Sequence, residues 1–168
     1  DMIRFGQDID EIMDRVTLEN KSILLLLEES VEMYKKYYQY EKIDGTSRKI
    51  VTRIPENAFR EAIANAIIHR FWDIDAFIMV SMFDDRIEIR SPGGLPSGMS
   101  ESEYLDGQIS MLRNPIIGNV FYRLRYIEMF GTGIKRINKS YYDSITKPEF
   151  KVYENSISII LPTVLSTA

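Results

Sequence analysis

The segment Glu61-Ala-Ile-Ala-Asn65-Ala-Ile-Ile-His69-Arg70 is the most informative stretch of the chain. Its polar residues Glu61, Asn65 and His69 stand four positions apart, which places them on one stripe of a helix. The residues between them are Ala and Ile, and small side chains allow close packing against a sheet. The stripe is either a solvent-facing surface with a satisfied histidine, or a site where a carboxylate and an amide lie beside a phosphate chain.

Helices and strands alternate outward from this segment. Pro55 is expected in the first turn of a helix running to about Arg70, because its missing N–H costs nothing there. The other predicted elements are a helix capped by Asn20 and ending near Lys42, an Asp44-Gly45 turn, a strand at 49–54, strands at 76–83 and 86–90, a loop at 91–98, a flexible flap or short helix at 100–110, helices from Asn114-Pro115 to about Phe130 and at 134–142, and a hairpin at 149–153 and 156–161. This order predicts an α+β two-layer sandwich, with helices on one face of a mixed or antiparallel sheet.

Length and composition indicate one globular domain. The chain has 168 residues, of which 45% are hydrophobic and 27% charged, values that are ordinary for a soluble domain. We assign 1–16 to a linker left by a preceding domain and 17–165 to the domain itself. The absence of cysteine and the single histidine exclude disulfides and zinc clusters. The longest aliphatic run has five residues, against about 20 for a membrane span, so we expect a cytoplasmic protein with no membrane partner.

Positive charge is concentrated in one part of an acidic chain. The net charge is −4, yet 113–139 holds six Lys or Arg residues and one acid, Glu128. Such a segment predicts an anionic ligand or partner, although a solvated helix face is an equal alternative. It lacks the pattern of a dedicated DNA-reading element.

Two glycine-containing turns could bring backbone close to a ligand. Gly93 and Gly94 follow a predicted strand, where the backbone could approach a base or sugar. Gly131-Thr132-Gly133 precedes a helix, so its free N–H groups could cradle phosphate. Arg113 stands directly before another helix, where it could reach an anion or only balance surface charge.

These motifs in this order resemble one family. They are Pro55-x-x-Ala58-x-Arg60-Glu61-Ala62-x-x-Asn65-Ala66-x-x-His69-Arg70, Asp85-Arg86-Ile87-Glu88-Ile89, Ser91-Pro92-Gly93-Gly94-Leu95-Pro96, Arg113-Asn114-Pro115 and Glu128-x-x-Gly131-Thr132-Gly133-Ile134. They are similar to the HATPase_c_4 family, the RecG-like C-terminal domain, which is related to the Bergerat (GHKL) ATP-binding fold of gyrase, histidine kinases and MutL. The resemblance implies a domain of a bacterial transcriptional regulator, often preceded by a Schlafen-type AlbA_2 domain, with DNA bound through other domains.

The resemblance also implies roles for individual residues. Glu61 would be the general base of an ATP hydrolase, Asn65 the Mg²⁺ ligand if a nucleotide binds, and 96–112 the lid. The implied nucleotide-binding residues are Asn65, His69, Arg70, Gly93, Gly94, Arg113, Asn114, Gly131, Thr132 and Gly133. Ser91 stands where the family's relatives carry an adenine-reading Asp, and a lost charged hydrogen bond is worth about 1.5–3 kcal/mol.

Three functions follow from this pattern. The first is a nucleotide-sensing or dimerising module with a degenerate ATP pocket, which we expect to have no catalytic activity. The second is a Mg-ATP-dependent ATPase with Glu61 as base. The third is a structural interaction domain, with no cofactor, in which the stripe anchors the glycine turns. Tyr34, Tyr37, Tyr38 and Tyr40 are either packed against the sheet or form a surface for a partner such as a second copy.

Overall fold

The computed structural model describes residues 1–107, 111–128 and 131–165. Along the chain the elements are β1 (Met2–Phe5), β2 (Ile12–Val16), α1 (Ile23–Tyr38), β3 (Gln39–Asp44), β4 (Ser47–Thr52), α2 (Glu56–His69), β5 (Met79–Met82), β6 (Arg86–Pro92), α3 (Glu101–Asp106), α4 (Pro115–Arg123), α5 (Gly133–Ser140), β7 (Glu149–Val152) and β8 (Ser156–Pro162). None of the helices in these ranges is both long and apolar enough to cross a membrane.

Six strands form one mixed sheet in the order β2-β1-β5-β6-β8-β7, and β3 and β4 form a separate hairpin. β1 pairs in parallel with β5, while the other neighbours are antiparallel. Ile87 pairs with Leu161 and Ile89 with Ile159, and all four side chains are buried. Arg90, on the alternate face of β6, is exposed. The sheet therefore has one apolar face covered by helices, which confirms the predicted α+β sandwich.

Helix α2 is the centre of the core. It contacts α1, α4, α5, β6 and β8, and its alanines Ala58, Ala62, Ala64 and Ala66 are buried. Side chains this small let neighbouring elements approach on several sides, as the sequence predicted. The predicted bounds of this helix are also confirmed, with Pro55 in the N-cap position.

The N-terminal residues correct the predicted linker. Residues 1–16 contain β1 and β2, and β1 lies inside the sheet between β2 and β5. Met2 pairs with Val80 and is 2% exposed, so it belongs to the core. A strand of four residues carries too little periodicity to be recognised in the sequence. The assignment of 1–16 to a linker is therefore wrong for their structure, while a preceding domain stays a prediction.

Helix α1 begins and ends at other residues than predicted. Ser22, rather than Asn20, caps it by accepting a hydrogen bond from the Leu24 N–H at 3.3 Å. It ends at Tyr38 because the following residues pair with β4 in the hairpin. Tyr34 and Tyr38 are buried, with hydroxyl groups that donate to the carbonyl oxygens of Ile54 and Phe83. For these two tyrosines the packing alternative is confirmed.

The second half of the chain differs in two places. Part of the predicted flap is helix α3, which starts with a capping box formed by Ser100 and Glu103 and ends at Gly107 in the left-handed conformation. Helix α4 ends at Arg123, earlier than predicted, because the chain turns at Arg125 with φ of 60°. Residues 108–110 of the predicted lid and 129–130 at the predicted helix end lie outside the described residues. The terminal hairpin of β7 and β8 is confirmed.

Candidate functional site

The polar stripe of α2 lines a cavity beneath α3. Glu61, Asn65 and His69 contribute to its wall together with Gly94 and the Gly131-Thr132-Gly133 turn. The cavity encloses about 80 Å³, whereas small-molecule sites usually measure about 300–1,000 Å³. The structure thus brings seven of the predicted site residues together around a space smaller than a nucleotide.

Gly133 fixes the turn directly on the stripe. A Cβ atom added at Gly133 would lie 2.6 Å from Asn65 Nδ2 and 2.9 Å from Glu61 Oε1, closer than van der Waals contact permits. Glycine therefore lets the first turn of α5 approach the ends of these two side chains without displacing them. The Asn65 amide and the Glu61 carboxylate consequently lie at the helix N-terminus that the sequence assigned to phosphate.

The Glu61 carboxyl group is buried, with 6% of the residue exposed. Burial raises the pKa of this carboxyl group, and the negative charge of Glu128 raises it further. The Arg136 guanidinium, whose Nε lies 3.7 Å from Glu61 Oε2, lowers it. Among the described residues, only the partly exposed Arg136 forms an ion pair with this desolvated carboxylate. A raised pKa is the direction that favours a carboxylate as a general base.

His69 is neutral at physiological pH. Burial lowers its pKa to about 4, and the positive charge of Arg113 acts in the same direction. A neutral imidazole can donate or accept one hydrogen bond per nitrogen, but it brings no positive charge to a phosphate. Its place in the cavity wall therefore suits contact with a neutral part of a ligand.

Four predicted site residues do not line this cavity: Arg70, Gly93, Arg113 and Asn114. Within the described chain, they have contacts that hold the surrounding loops. Asn114 Nδ2 donates to the carbonyl oxygens of Ile68 at 2.7 Å and Arg70 at 2.8 Å, so it satisfies the C-terminal end of α2. Arg113 donates to Gly94 O at 2.6 Å.

Ser91 is directed into the core. Its hydroxyl group donates to Ala66 O at 2.8 Å, and the residue is 6% exposed. The hydroxyl thus satisfies a helix carbonyl instead of facing the cavity beneath α3. Ser91 lines a neighbouring cavity of about 20 Å³, which leaves no room for a base.

An apolar cover lies over the site, and most of it falls within the predicted lid at 96–112, although none of its individual residues was predicted. Tyr104 on α3 lines both this small neighbouring cavity and the one beneath α3, and burial raises its pKa to about 12. Met99, Met111, Leu112 and Ile127 complete the cover. The capping-box pattern Ser100-x-x-Glu103 was the signal that could have placed Tyr104 on an ordered helix.

A second cavity lies beside Glu61 and is lined by cationic residues. It measures about 530 Å³. Arg125, Arg136 and Lys139 come from the basic segment recognised in the sequence, and Arg60 joins them from α2. Arg60 appeared in the sequence only as part of the α2 motif and was not predicted as a site residue, because it lies outside the basic segment.

Comparison with known proteins identifies the domain type. The sequence profile of the HATPase_c_4 family, described as "Putative ATP-dependent DNA helicase recG C-terminal", matches 75–161, slightly more than half of the chain and a span that starts after α2. No curated protein matches. The DIP2311 protein from Corynebacterium diphtheriae superposes with a TM-score of 0.83 at 23% identity, covering 98% of this chain and 34% of that one. The chain spans about a third of that protein's length, and the similarity shows the fold alone. This chain belongs to the HATPase_c_4 family, and its fold is Bergerat-like.

Proposed function

We propose that this domain is a nucleotide-sensing module of a bacterial transcriptional regulator, acting in the cytoplasm, with a degenerate ATP pocket. One observation carries the proposal: the Glu61–Asn65–Gly133 cluster lies beneath an apolar cover that includes Tyr104. A nucleotide needs more space than the cavity holds, so binding requires α3 to move. A movement of this kind is how an occupied pocket signals to the rest of a regulator.

The binding roles follow from the geometry of the cluster. The N–H groups at the start of α5 would hold phosphate oxygens. Asn65 would supply one oxygen to Mg²⁺, with phosphate and water as the other ligands. Within the described chain no cluster of three or more Asp, Glu, His or Cys residues could hold a metal alone. The ion would therefore arrive with the nucleotide.

Turnover is not part of the proposed role. Hydrolysis requires a water molecule between the base and the terminal phosphate. Glu61 Oε2 lies 3.7 Å from Arg136 Nε, and Oε1 lies 2.9 Å from the position of a Cβ atom added at Gly133, so protein groups flank both oxygens. Ser91 also supplies no carboxylate to select adenine. We therefore propose that nucleotide binds with relaxed base selectivity and is not hydrolysed efficiently.

Thermal shift with Mg-ATP, Mg-ADP, Mg-GTP and buffer alone tests the binding proposal. A ligand at a hundredfold excess over its Kd stabilises the folded state by about 2.7 kcal/mol. Asn65→Ala should abolish the magnesium-dependent part of the shift. Tyr104→Ala should increase the shift, because it removes a large side chain that covers the cavity. Tyr142→Ala is the control and should leave the shift unchanged, since Tyr142 is 80% exposed. No shift with any nucleotide, even in Tyr104→Ala, would leave only the structural interaction role.

Phosphate release measured on the wild type and Glu61→Gln separates sensing from catalysis. The sensing role predicts that both release phosphate at the same background rate and bind nucleotide equally. If the wild type hydrolyses ATP and Glu61→Gln binds without hydrolysis, the active ATPase is the correct alternative.

Dimerisation is supported by a separate surface. Ile116, Val120 and Leu124 stand four residues apart along α4 and its C-terminal end, and are 80%, 42% and 46% exposed. Such an apolar stripe on the outer face of a helix suits a second copy of the domain. Sedimentation of the wild type against Val120→Asp tests this role: a dimer that the aspartate dissociates supports it, and a wild-type monomer at high concentration excludes it.

A further inference from the structure

The cationic cavity beside Glu61 is distinct from the one beneath α3. Glu61 is the only described residue that lines both. The remaining wall, here called the cationic cleft, consists of Asn57, Arg60, Arg125, Tyr126, Arg136, Lys139 and Ser140. At about 530 Å³ the cleft has the size of a site for a small ligand.

The fold gathers these residues from two packed helices and a turn. Asn57, Arg60 and Glu61 share one face of α2, and Arg136, Lys139 and Ser140 repeat the same spacing on α5, which packs against α2. Arg125 enters from the turn after α4. The Arg125 N–H closes this turn by donating to Tyr122 O at 2.9 Å. The Arg125 φ of 60° is unfavourable for a residue with a side chain. The backbone positions of these residues are thus fixed by the packing of α2 on α5 and by the turn, while the side chains of Arg125, Arg136 and Lys139 are exposed to solvent.

The cleft has more positive charge than its own acids neutralise. Four cationic side chains face one carboxylate, and only Arg136 approaches it. Across the described part of the chain, Arg60, Arg125 and Lys139 form no ion pair. Like charges brought together destabilise a fold unless an anion binds among them. The cleft therefore has the electrostatic character of an anion site.

Geometry and flanking charge select the ligand class. Guanidinium groups bind phosphate oxygens through paired hydrogen bonds, and the cleft offers three of them with one ammonium. The Tyr126 hydroxyl already donates to Glu28 Oε1 at 3.1 Å, and Glu128 acts on Glu61. These acids would repel an extended polyanion such as DNA but leave the centre of the cleft positive.

We propose that the cationic cleft binds a small anion of the diphosphate class. The site does not depend on the nucleotide-sensing role, because the residues concerned, apart from Glu61, lie outside the cavity beneath α3. The anion would be either free diphosphate or the diphosphate end of a larger metabolite.

Titration calorimetry with pyrophosphate tests the site. The wild type should bind pyrophosphate, and Arg60→Gln/Lys139→Gln should weaken binding by about tenfold or more, since two charge-assisted contacts are lost. Arg48→Gln/Lys49→Gln removes the same charge from the exposed hairpin and should change the affinity by less than about twofold. Thermal melts of each variant confirm folding. No binding to the wild type, or equal losses in both double variants, would overturn the proposal.

Two further arms identify the source of the anion and separate this site from the sensing pocket. Asn65→Ala should leave pyrophosphate binding unchanged; a loss as large as that of Arg60→Gln/Lys139→Gln would place the anion beneath α3 and overturn the proposal. The second arm compares ADP with pyrophosphate for binding to the cleft of Asn65→Ala. A higher affinity for ADP would identify a diphosphate-bearing metabolite as the ligand, and equal affinities would identify free diphosphate. If a short DNA duplex binds through Arg60 and Lys139 while pyrophosphate does not, the ligand class is wrong.

Discussion

Replacing Gly133 by alanine should destabilise the fold, even though alanine is normally the better residue in a helix. The added Cβ would lie 2.6 Å from Asn65 Nδ2 and 2.9 Å from Glu61 Oε1. Both groups are the ends of side chains on α2, the most central helix, so relief requires α5 to move away or the Asn65 and Glu61 side chains to turn into the cavity beneath α3 and lose their present positions. Arg136 would move with α5 and lose its approach to Glu61.

The size of the effect follows from two opposing contributions. Overpacking of a well-packed site costs about 1–3 kcal/mol. Alanine regains at most about 1 kcal/mol of helix propensity relative to glycine, and less at the first helical position. The expected loss is about 1–2 kcal/mol in the free energy of unfolding, which for a domain of this length lowers the melting temperature by about 2–8 °C.

Gly118→Ala is the matched control for thermal and urea unfolding. Gly118 lies inside α4, and its added Cβ would meet one side-chain end closely, Leu112 Cδ1 at 2.7 Å. Leu112 is half-buried, whereas the Cβ at Gly133 would meet two side-chain ends, one of them on the buried Glu61. This variant should be as stable as the wild type or more stable by up to about 1 kcal/mol. A Gly133→Ala protein that melts at or above the wild-type temperature would refute the close approach of α5 to Glu61 and Asn65.

Substitutions at three other residues test the loops and the electrostatics around the site. Asn114→Ala removes both hydrogen bonds to the end of α2 and should cost about 1–3 kcal/mol in urea unfolding; a neutral effect would mean that water replaces the amide. Burial lowers the pKa of His69 to about 4 from its ordinary 6.5, so the unfolded chain takes up a proton first as the pH falls. Stability should therefore decrease between these two pKa values, more steeply in the wild type than in His69→Gln, and parallel curves would contradict the burial. Ser91→Ala should cost about 1 kcal/mol through loss of the bond to Ala66 O, and Ser91→Asp should cost more because a buried carboxylate would face that oxygen. Equal melting temperatures for the two Ser91 variants would show that the side chain can turn outward.

The sequence predicted the fold where patterns extend over many residues. Helix α2 has fourteen residues with regular Ala and Ile positions, and β7 alternates between exposed and half-buried residues before the turn into β8. The end of α1 could not be predicted, because the residues after Tyr38 continue a helical pattern and only their pairing with β4 makes them a strand. Pairing between distant segments is a tertiary effect that local periodicity does not contain.

The candidate site was predictable in its polar half only. Spacing alone placed Glu61, Asn65 and His69 on one face, and the glycine turn at 131–133 does meet them. Asn114 illustrates the limit, since its position before a helix suggested ligand contact whereas its amide satisfies two carbonyl groups of a different helix. The direction in which a polar side chain points depends on which unsatisfied backbone groups lie nearby, and that information exists only after the chain has folded.

The parallel pairing of β1 with β5 has a consequence for how this domain is inherited. The recognisable family segment starts at residue 75, but a gene fragment cut there would lack β1 and α2. Val80 would lose its neighbour Met2, and the apolar face of β6 and β8 would lose the helix that covers it. Recombination or truncation at the boundary of sequence similarity would therefore divide one sheet and its core, so a fragment that keeps the fold has to include β1 and α2 as well as the matched segment.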